Sequence, residues 1–490
     1  MKKLASYTPF QLVVMTISIF LMFMSMFFPA PAGMTDSGIQ VVGILIGALS
    51  LWLFVGVDWT SILVLFALML VPEIGPKAAI AGSLGNNTVF FLILCCVISA
   101  SLQKTGVAKR LALWFMSCKV SQKGAWSFIA MIYAAIFILA SVLSATATLL
   151  IFLPIITTIC ETIGYTREEK NKFPAMLMAS VIIVAQIAQA TSPISHAMTL
   201  IGMSTYTSYT ELEMGFAQYV GVGLPVGILS VIAWYIISRF MIKPDMTRFN
   251  TLDIKKLSGE PTPMSKQEKI SATLYILTII FWILPGVATY IFPADIAAFV
   301  KGINQFYPPI IGIMIMHLWH VDGKPVMEYK EATQSVPWNT LIFMGSILLL
   351  SGALSNKDIA LTGWISETMT PLFGGMSALT FIIIIAFVTV IATNFISNAI
   401  AIAAMFAISM PMLLTVYSGE INTELVAILI TVAANFSFAT PTATAPIAVV
   451  LDTGWLKTGQ LFNWGMISGI ACAVILLLVG IPIGNMILPI

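Results

Sequence analysis

The chain has 490 residues, of which 59% are hydrophobic and 9% are charged. Soluble domains carry about 25% charged residues, so this composition excludes a soluble globular protein and predicts a polytopic membrane protein. The formal net charge is only +2, and nothing in it indicates a nucleic-acid partner. The five cysteines lie in or beside apolar segments without the spacing of a metal or disulfide site, which favours a packing role.

Uncharged stretches long enough to cross a bilayer recur along the whole chain. The first of them is too long for a removable signal peptide and lacks a convincing small-residue cleavage site. We expect N-terminal scaffold helices over residues 1–72 and a first repeat over 73–240. A cytoplasmic linker over 241–269 and a second repeat over 270–490 follow.

Two uncharged runs are too long for a single crossing, Gly124 to Cys160 and Thr368 to Gly419. Each carries small polar residues near its middle, Ser144-Ala145-Thr146 in the first and Ser397-Asn398-Ala399 in the second. Because backbone at membrane depth must be buried or line a wet cavity, such tips are typical of a binding site. We expect re-entrant helical hairpins over 124–160 and 376–417.

The basic residues predict how the chain threads the membrane. If 124–160 crossed only once, the basic residues between Arg239 and Lys269 would fall outside the cell, whereas a re-entrant hairpin keeps them inside. With the N-terminal Lys2 and Lys3 in the cytoplasm, the pattern predicts eleven crossings, two hairpins and an extracellular C-terminus. Every Lys and Arg except Lys77, Lys301 and Lys357 is then cytoplasmic. We expect a multi-pass protein of the plasma (cell inner) membrane.

Similar sequence recurs about 250 residues apart, which predicts an internal duplication. Asn87-Thr88 matches Asn339-Thr340, and Ser144 matches Ser397. The predicted topology places Asn87 at the outer end of its crossing and Asn339 at the inner end. The two halves are therefore expected to be inverted, as in secondary transporters that bind substrate between their repeats.

Prolines predict a break in the middle of the helical segments 173–210 and 425–451. Pro193 interrupts the first segment, and Pro441 and Pro446 interrupt the second. A simple proline kink with Ser or Thr bonded back to the helix is the alternative for either segment. Helix N-termini after each hairpin tip, from Thr148 and from Ile400, would direct unpaired N–H groups at an anion.

No Asp, Glu, Lys or Arg lies inside any predicted crossing or hairpin, so the substrate's charge must be met by hydroxyls, amides, helix ends, cations or histidine. His196 occupies the place of Thr444 in the other half, and a protonated imidazole would supply positive charge to an anion. The alternative is a neutral imidazole bonded to a carbonyl. His317 and His320 are expected at a membrane interface. We predict no catalytic residue. The predicted substrate-binding residues are Ser144, Ala145, Thr146, Ser195, His196, Ser397, Asn398, Ala399, Thr442 and Thr444.

On these tips and broken helices the chain resembles the divalent anion/sodium symporter family, which includes the INDY- and CitT-type dicarboxylate and citrate carriers. The family carries Ser-Asn-Thr at each tip; here Ala145 replaces the first Asn, and Ser397-Asn398-Ala399 loses the Thr. The family's Thr-Pro-Pro-Asn loops are also altered, to His196-Ala-Met-Thr and Thr444-Ala-Pro-Ile. The resemblance implies an inverted-repeat secondary transporter of elevator type, a homodimer in the lipid bilayer that carries C4 and C5 dicarboxylates. The substrates it implies are succinate, malate, fumarate and 2-oxoglutarate.

The departures from the family pattern favour exchange over sodium coupling. Ala145 removes a cation ligand that the resemblance implies, and His196 offers positive charge in the adjoining loop. No cofactor is expected unless Thr393 and Asn398, which remain in the second half, form a residual site that could hold Na⁺. Three alternatives remain open: a sodium-coupled di- or tricarboxylate symporter, a channel, and a membrane-embedded enzyme using Ser144 and His196.

Overall fold

The computed structural model describes residues 7–169, 171–251 and 263–488. Lys2 and Lys3, on which the predicted cytoplasmic N-terminus depends, lie outside the described residues, as does the middle of the predicted linker, 252–262. Within the described ranges the regular structure is helical apart from one pair of two-residue strands, His320–Val321 and Lys324–Pro325.

The α-helices fall into two series, one before and one after the linker. The first series comprises Pro9–Met24, Asp36–Phe54, Asp58–Met69, Gly75–Gly82, Asn87–Lys104, Val107–Ser117, Ala125–Ala140, Ala145–Thr162, Lys172–Ala190, Ala197–Thr210 and Phe216–Ile236. The second comprises Lys266–Ile291, Ala294–Lys301, Tyr307–Leu318, Tyr329–Gln334, Trp338–Ser355, Leu361–Phe373, Ala378–Thr393, Asn398–Thr415, Thr423–Ala434, Ala445–Asp452, Thr458–Ile475 and Ile481–Ile487.

Ten of the described helical segments are long and apolar enough to cross a membrane, and the number reaches 11 if one bent pair is counted as a span. This confirms the prediction of an all-α polytopic membrane protein. Helices of both predicted hairpins, Ala145–Thr162 and Asn398–Thr415, are among the ten, so this number is not the predicted set of eleven crossings. Helix length alone does not place a helix across the bilayer rather than part-way into it.

The order of the helices repeats between the two halves. Asp58–Met69 and Tyr307–Leu318 are both 12-residue helices, and each precedes a longer helix that starts at Asn87 or at Trp338. Asp58–Met69 packs against Trp338–Ser355, and Tyr307–Leu318 packs against Asn87–Lys104. Each short helix thus packs against the longer helix of the other half, as expected for two related halves arranged about a shared axis.

Both predicted hairpins contain two helices that pack against each other across a short tip. We call Ala125–Ala140 with Ala145–Thr162 hairpin 1, and Ala378–Thr393 with Asn398–Thr415 hairpin 2. A separate helix, Leu361–Phe373, precedes hairpin 2 and is bent by 99° from its first helix.

Two interrupted helices form the centre of the fold. Broken helix 1 consists of Lys172–Ala190 and Ala197–Thr210, and broken helix 2 consists of Thr423–Ala434 and Ala445–Asp452. Every residue from Phe173 to Ala190 is buried, so protein surrounds this segment on all sides. Irregular backbone is tolerated at membrane depth only in such surroundings.

The two broken helices cross at close range. A Cβ added at Gly202 would lie 2.0 Å from Oγ1 of Thr431, a distance that no real side chain could adopt. Only glycine therefore allows broken helix 1 to approach broken helix 2 this closely. The crossing fixes the separation of the two breaks.

Prolines lie at both breaks and help to explain where the helical hydrogen bonding stops. Pro193 and Pro441 both lie between the two helices of their segment, where a missing N–H interrupts the helical ladder. Pro446 was predicted to interrupt the helix but instead lies in the first turn of Ala445–Asp452. A first turn needs no N–H donor to the preceding turn, so proline helps to start this helix.

Candidate functional site

A cavity of about 420 Å³ lies where the two hairpin tips meet the two helix breaks. Its walls combine polar side chains with small apolar ones, and no lining residue is Asp, Glu, Lys or Arg. The lining residues from the hairpins and broken helices are Ser144, Ala145, Thr146, Gln186, Gln189, Ser195, His196, Ala197, Met198, Ser397, Asn398, Ala443, Thr444, Ala445 and Pro446.

Four helix N-termini converge on this cavity. The helices begin at Ala145, Ala197, Asn398 and Ala445, and all four of these residues line the cavity. The two after the tips begin slightly earlier than predicted, at Ala145 rather than Thr148 and at Asn398 rather than Ile400. Each N-terminus offers unpaired N–H groups and a positive dipole end. Helix N-termini of this kind favour negative charge, and no Asp, Glu, Lys or Arg lines the cavity beside them.

The residues that precede these helices leave their polar atoms available. Ser144 caps its helix, because its Oγ accepts a hydrogen bond from the N–H of Ala147 at 3.3 Å. Ser397, His196 and Thr444 occupy the same position in their helices but make no side-chain capping bond. The Ser397 and Thr444 side chains are therefore free to face the cavity, as is Nδ1 of His196.

Three buried polar atoms beside the cavity have no hydrogen-bond partner in the described part of the chain: Ser195 Oγ, His196 Nδ1 and Thr444 Oγ1. Leaving a buried donor or acceptor unpaired costs about 1–3 kcal/mol for each group. All three residues line the same cavity. A polar guest or ordered water there would satisfy them together.

Asn398 links hairpin 2 to broken helix 2. Its Nδ2 donates to Oδ1 of Asn435 at 3.3 Å, and its Oδ1 accepts from Oγ1 of Thr393 at 3.1 Å. Thr393 Oγ1 also contacts the carbonyl of Ala434. The Asn435 side chain in turn lies against the imidazole of His196. These contacts connect the two halves at the cavity.

Asn394, which the sequence analysis did not single out, holds the irregular backbone of broken helix 2. Its Nδ2 donates to the carbonyls of Val390 at 2.7 Å and Phe436 at 3.0 Å. Its Oδ1 accepts from the N–H groups of Phe438 and Ala439, both at 2.8 Å. The side chain is fully buried. One amide thus satisfies three backbone groups of the break.

Eight of the ten predicted substrate-binding residues meet at the cavity. Ser144, Ala145, Thr146, Ser195, His196, Ser397, Asn398 and Thr444 line it. Ala399 does not, because it is fully buried in the body of its helix. Thr442 is exposed and hydrogen-bonds to Thr440 at 2.8 Å, outside the lining. His317 and His320 also lie away from the cavity.

The sequence analysis missed two glutamines of the cavity and the side of the cavity formed by helices outside the hairpins and broken helices, which we call the scaffold wall. Leu92 and Cys96 come from helix Asn87–Lys104, and Ser335, Pro337 and Thr340 lie around the start of Trp338–Ser355. Gln186 and Gln189 belong to broken helix 1. Two glutamines three residues apart in an otherwise apolar helix were the available signal, because they lie on one face.

The predicted cation ligands Thr393 and Asn398 lie together but contact other protein groups. The Asn398 oxygen accepts the Thr393 hydroxyl, and the Asn394 oxygen accepts two backbone N–H groups. In the described residues there is no group of three or more His, Cys, Asp or Glu able to hold a metal ion. Hydroxyl and carbonyl oxygens are suitable ligands for Na⁺. The oxygens named here would be available to it only if their present hydrogen bonds rearranged.

The sodium:sulfate symporter transmembrane region model matches residues 10–490. The chain belongs to this family. It is 24% identical over 494 residues to the sodium-dependent dicarboxylate transporter SdcS of Staphylococcus saprophyticus, a match that covers 98% of this chain and 92% of the relative. The SdcS protein of Staphylococcus aureus is 22% identical over 499 residues, with the same coverage. The resemblance to the divalent anion/sodium symporters is thereby confirmed.

Two solved transporters share the fold. The YdaH transporter of Alcanivorax borkumensis superimposes with a TM-score of 0.57 at 10% identity, covering 91% of this chain and 98% of that one. MtrF of Neisseria gonorrhoeae gives 0.55 at 12% identity, covering 97% and 95%. Family and neighbours are transporters. The chain is a multi-pass membrane transporter and not an enzyme.

Proposed function

We propose that the chain transports C4 and C5 dicarboxylates through the cavity between the two hairpin tips. The observation that carries the proposal is the convergence of four helix N-termini on a cavity whose lining has no charged side chain. Two anionic groups can each be met by helix ends from one half of the molecule. The names of the staphylococcal relatives, dicarboxylate transporters, support the same substrate class.

The size of the cavity agrees with a small organic substrate. At about 420 Å³ it lies near the lower end of the range of small-molecule sites, about 300–1,000 Å³. Succinate, malate, fumarate and 2-oxoglutarate are the expected substrates, and citrate would test the upper limit of size. Ser144, Thr146, Ser195 and His196 would face one carboxylate, and Ser397, Asn398 and Thr444 the other.

We propose an elevator mechanism in which the hairpins and broken helices move as one body against the scaffold helices. The scaffold wall of the cavity includes Thr340. Thr340 lies near the start of its helix, and the distribution of basic residues predicts that this end faces the cytoplasm. The described state is then open toward the cytoplasm. A homodimer in the plasma membrane, with the N-terminus inside and the C-terminus outside, remains the predicted arrangement.

Dicarboxylate exchange is the proposed mode of coupling. Ala145 provides no side-chain oxygen at the first tip, and the oxygens of Asn394 and Asn398 already accept hydrogen bonds. A carrier whose reorientation requires bound substrate exchanges one dicarboxylate for another. Sodium-coupled symport is the second candidate, because the staphylococcal relatives are named sodium-dependent; Na⁺ would then be cargo bound near Thr393 and Asn398.

Uptake of labelled succinate into proteoliposomes separates the two modes. We expect uptake only when the vesicles contain succinate or 2-oxoglutarate, with no change when external Na⁺ is replaced by K⁺. Uptake into empty vesicles that follows the external Na⁺ concentration would establish symport instead. Efflux of preloaded label without external substrate would indicate a channel. Vesicles without protein are the control for leak.

A further inference from the structure

Gln186 and Gln189 place two amides on one face of broken helix 1, toward the cavity. Each side chain is only 2% exposed. Gln186 Nε2 donates to Oγ of Ser437 at 3.3 Å. The Gln189 amide, in contrast, makes no hydrogen bond within the described part of the chain, and its polar atoms are not among the fully enclosed ones, so they are open to the cavity. An amide open to a cavity can both donate to and accept from a ligand bound there.

The contact between Gln186 and Ser437 shows where this amide lies. Ser437 belongs to the break of broken helix 2, so the hydrogen bond marks a point where the two halves meet beside the cavity. Gln189 lies one turn farther along broken helix 1, next to its break, which carries Ser195 and His196. Along the chain, Gln189 therefore falls between Gln186 at the junction of the halves and the break that carries the first proposed carboxylate site.

We propose that Gln189 recognises an oxygen substituent on the carbon next to the carboxylate bound by the first half. This inference rests on the proposed function and names the substrate class within it: 2-hydroxy and 2-oxo dicarboxylates in preference to unsubstituted ones. The amide N–H donates to a keto or hydroxyl oxygen, and the amide carbonyl accepts from a hydroxyl. A methylene at that carbon leaves the amide unpaired.

The size of the preference follows from the cost of that unpaired group. A site built to hydrogen-bond a substrate group rejects the analogue that lacks it, because its own buried polar atoms are left without partners. One neutral hydrogen bond contributes about 1 kcal/mol, or about fivefold in affinity. No Asp, Glu, Lys or Arg lines the cavity, so no such charge would outweigh the contribution of this hydrogen bond.

The test compares two matched pairs of competitors, malate with succinate and 2-oxoglutarate with glutarate. Each competes against labelled succinate during exchange by the full-length protein in proteoliposomes. For the unaltered chain we expect the oxygenated member of each pair to compete at least about fivefold better. For Gln189→Leu, which keeps the size of the side chain, we expect both preferences to fall to within about twofold while succinate itself competes as before.

Three results would overturn the inference. One is an unchanged preference in Gln189→Leu, and another is an equal loss of affinity for all four compounds, which would indicate a structural role. The third is the absence of any preference in the unaltered chain. If the unaltered chain exchanged no dicarboxylate at all, the proposed function itself would be wrong. That result differs from the three above, in which exchange still occurs. The matched control is Gln40→Leu, which changes a buried glutamine away from the cavity. If Gln189→Leu does not accumulate, Gln189→Met takes its place.

Discussion

Asn394→Ala is expected to abolish transport and to destabilise the protein strongly. The change removes the partner of the Phe438 and Ala439 N–H groups and of the Phe436 carbonyl, all within the break of broken helix 2. Each unpaired buried group costs about 1–3 kcal/mol. The loss therefore amounts to several kcal/mol in total, at the segment that carries Thr444. Succinate exchange in proteoliposomes and thermal unfolding in detergent measure the two effects.

Asn171→Ala is the matched control for this change. Asn171 caps the start of broken helix 1 through a bond from the Phe173 N–H at 2.9 Å, far along the helix from the cavity. Removing such a cap costs about 1 kcal/mol, so a small fall in thermal midpoint with transport preserved is expected. If Asn394→Ala unfolded at the same temperature as Asn171→Ala and still transported succinate, the role assigned to Asn394 would be wrong.

His196→Ala is expected to weaken dicarboxylate binding by about 10- to 150-fold. The imidazole Nδ1 is buried at the cavity without a protein partner, and a hydrogen bond to a charged group contributes about 1.5–3 kcal/mol. Binding of succinate by isothermal calorimetry measures the effect.

His196→Gln separates the hydrogen bond from the charge. If a neutral donor suffices, the glutamine variant keeps most of the affinity and the unaltered chain shows little pH dependence. If the protonated imidazole supplies charge, the glutamine variant binds as weakly as the alanine variant. Affinity unchanged in both variants would return His196 to a purely structural role.

Much of the fold could be predicted because local signals were strong. Long uncharged runs with small polar residues at Ser144 and Ser397 indicated hairpins, and helices do begin beside both residues. The repeat related His196 to Thr444, and both precede a helix at the cavity. Each of these features depends on a few neighbouring residues or on a constant offset along the chain.

The parts that were missed depend on contacts between distant segments. Asn394 bonds residues 42 to 45 positions away, and no local pattern distinguishes such an asparagine from one that caps a turn. Ser335 and Thr340 reach the cavity only through packing of the scaffold against the broken helices. Pro446 was misplaced because sequence does not fix where a broken helix resumes.

Substrate protection of cysteines placed in the cavity tests the central claim most directly. Thr146→Cys and Thr444→Cys would be introduced, one at a time, after replacement of the five native cysteines, with exposed Leu212→Cys as control. We predict that a small methanethiosulfonate reagent labels both cavity cysteines and that succinate slows this labelling without affecting position 212. Equal labelling rates with and without saturating succinate, in variants that still exchange it, would contradict a dicarboxylate site between the hairpin tips.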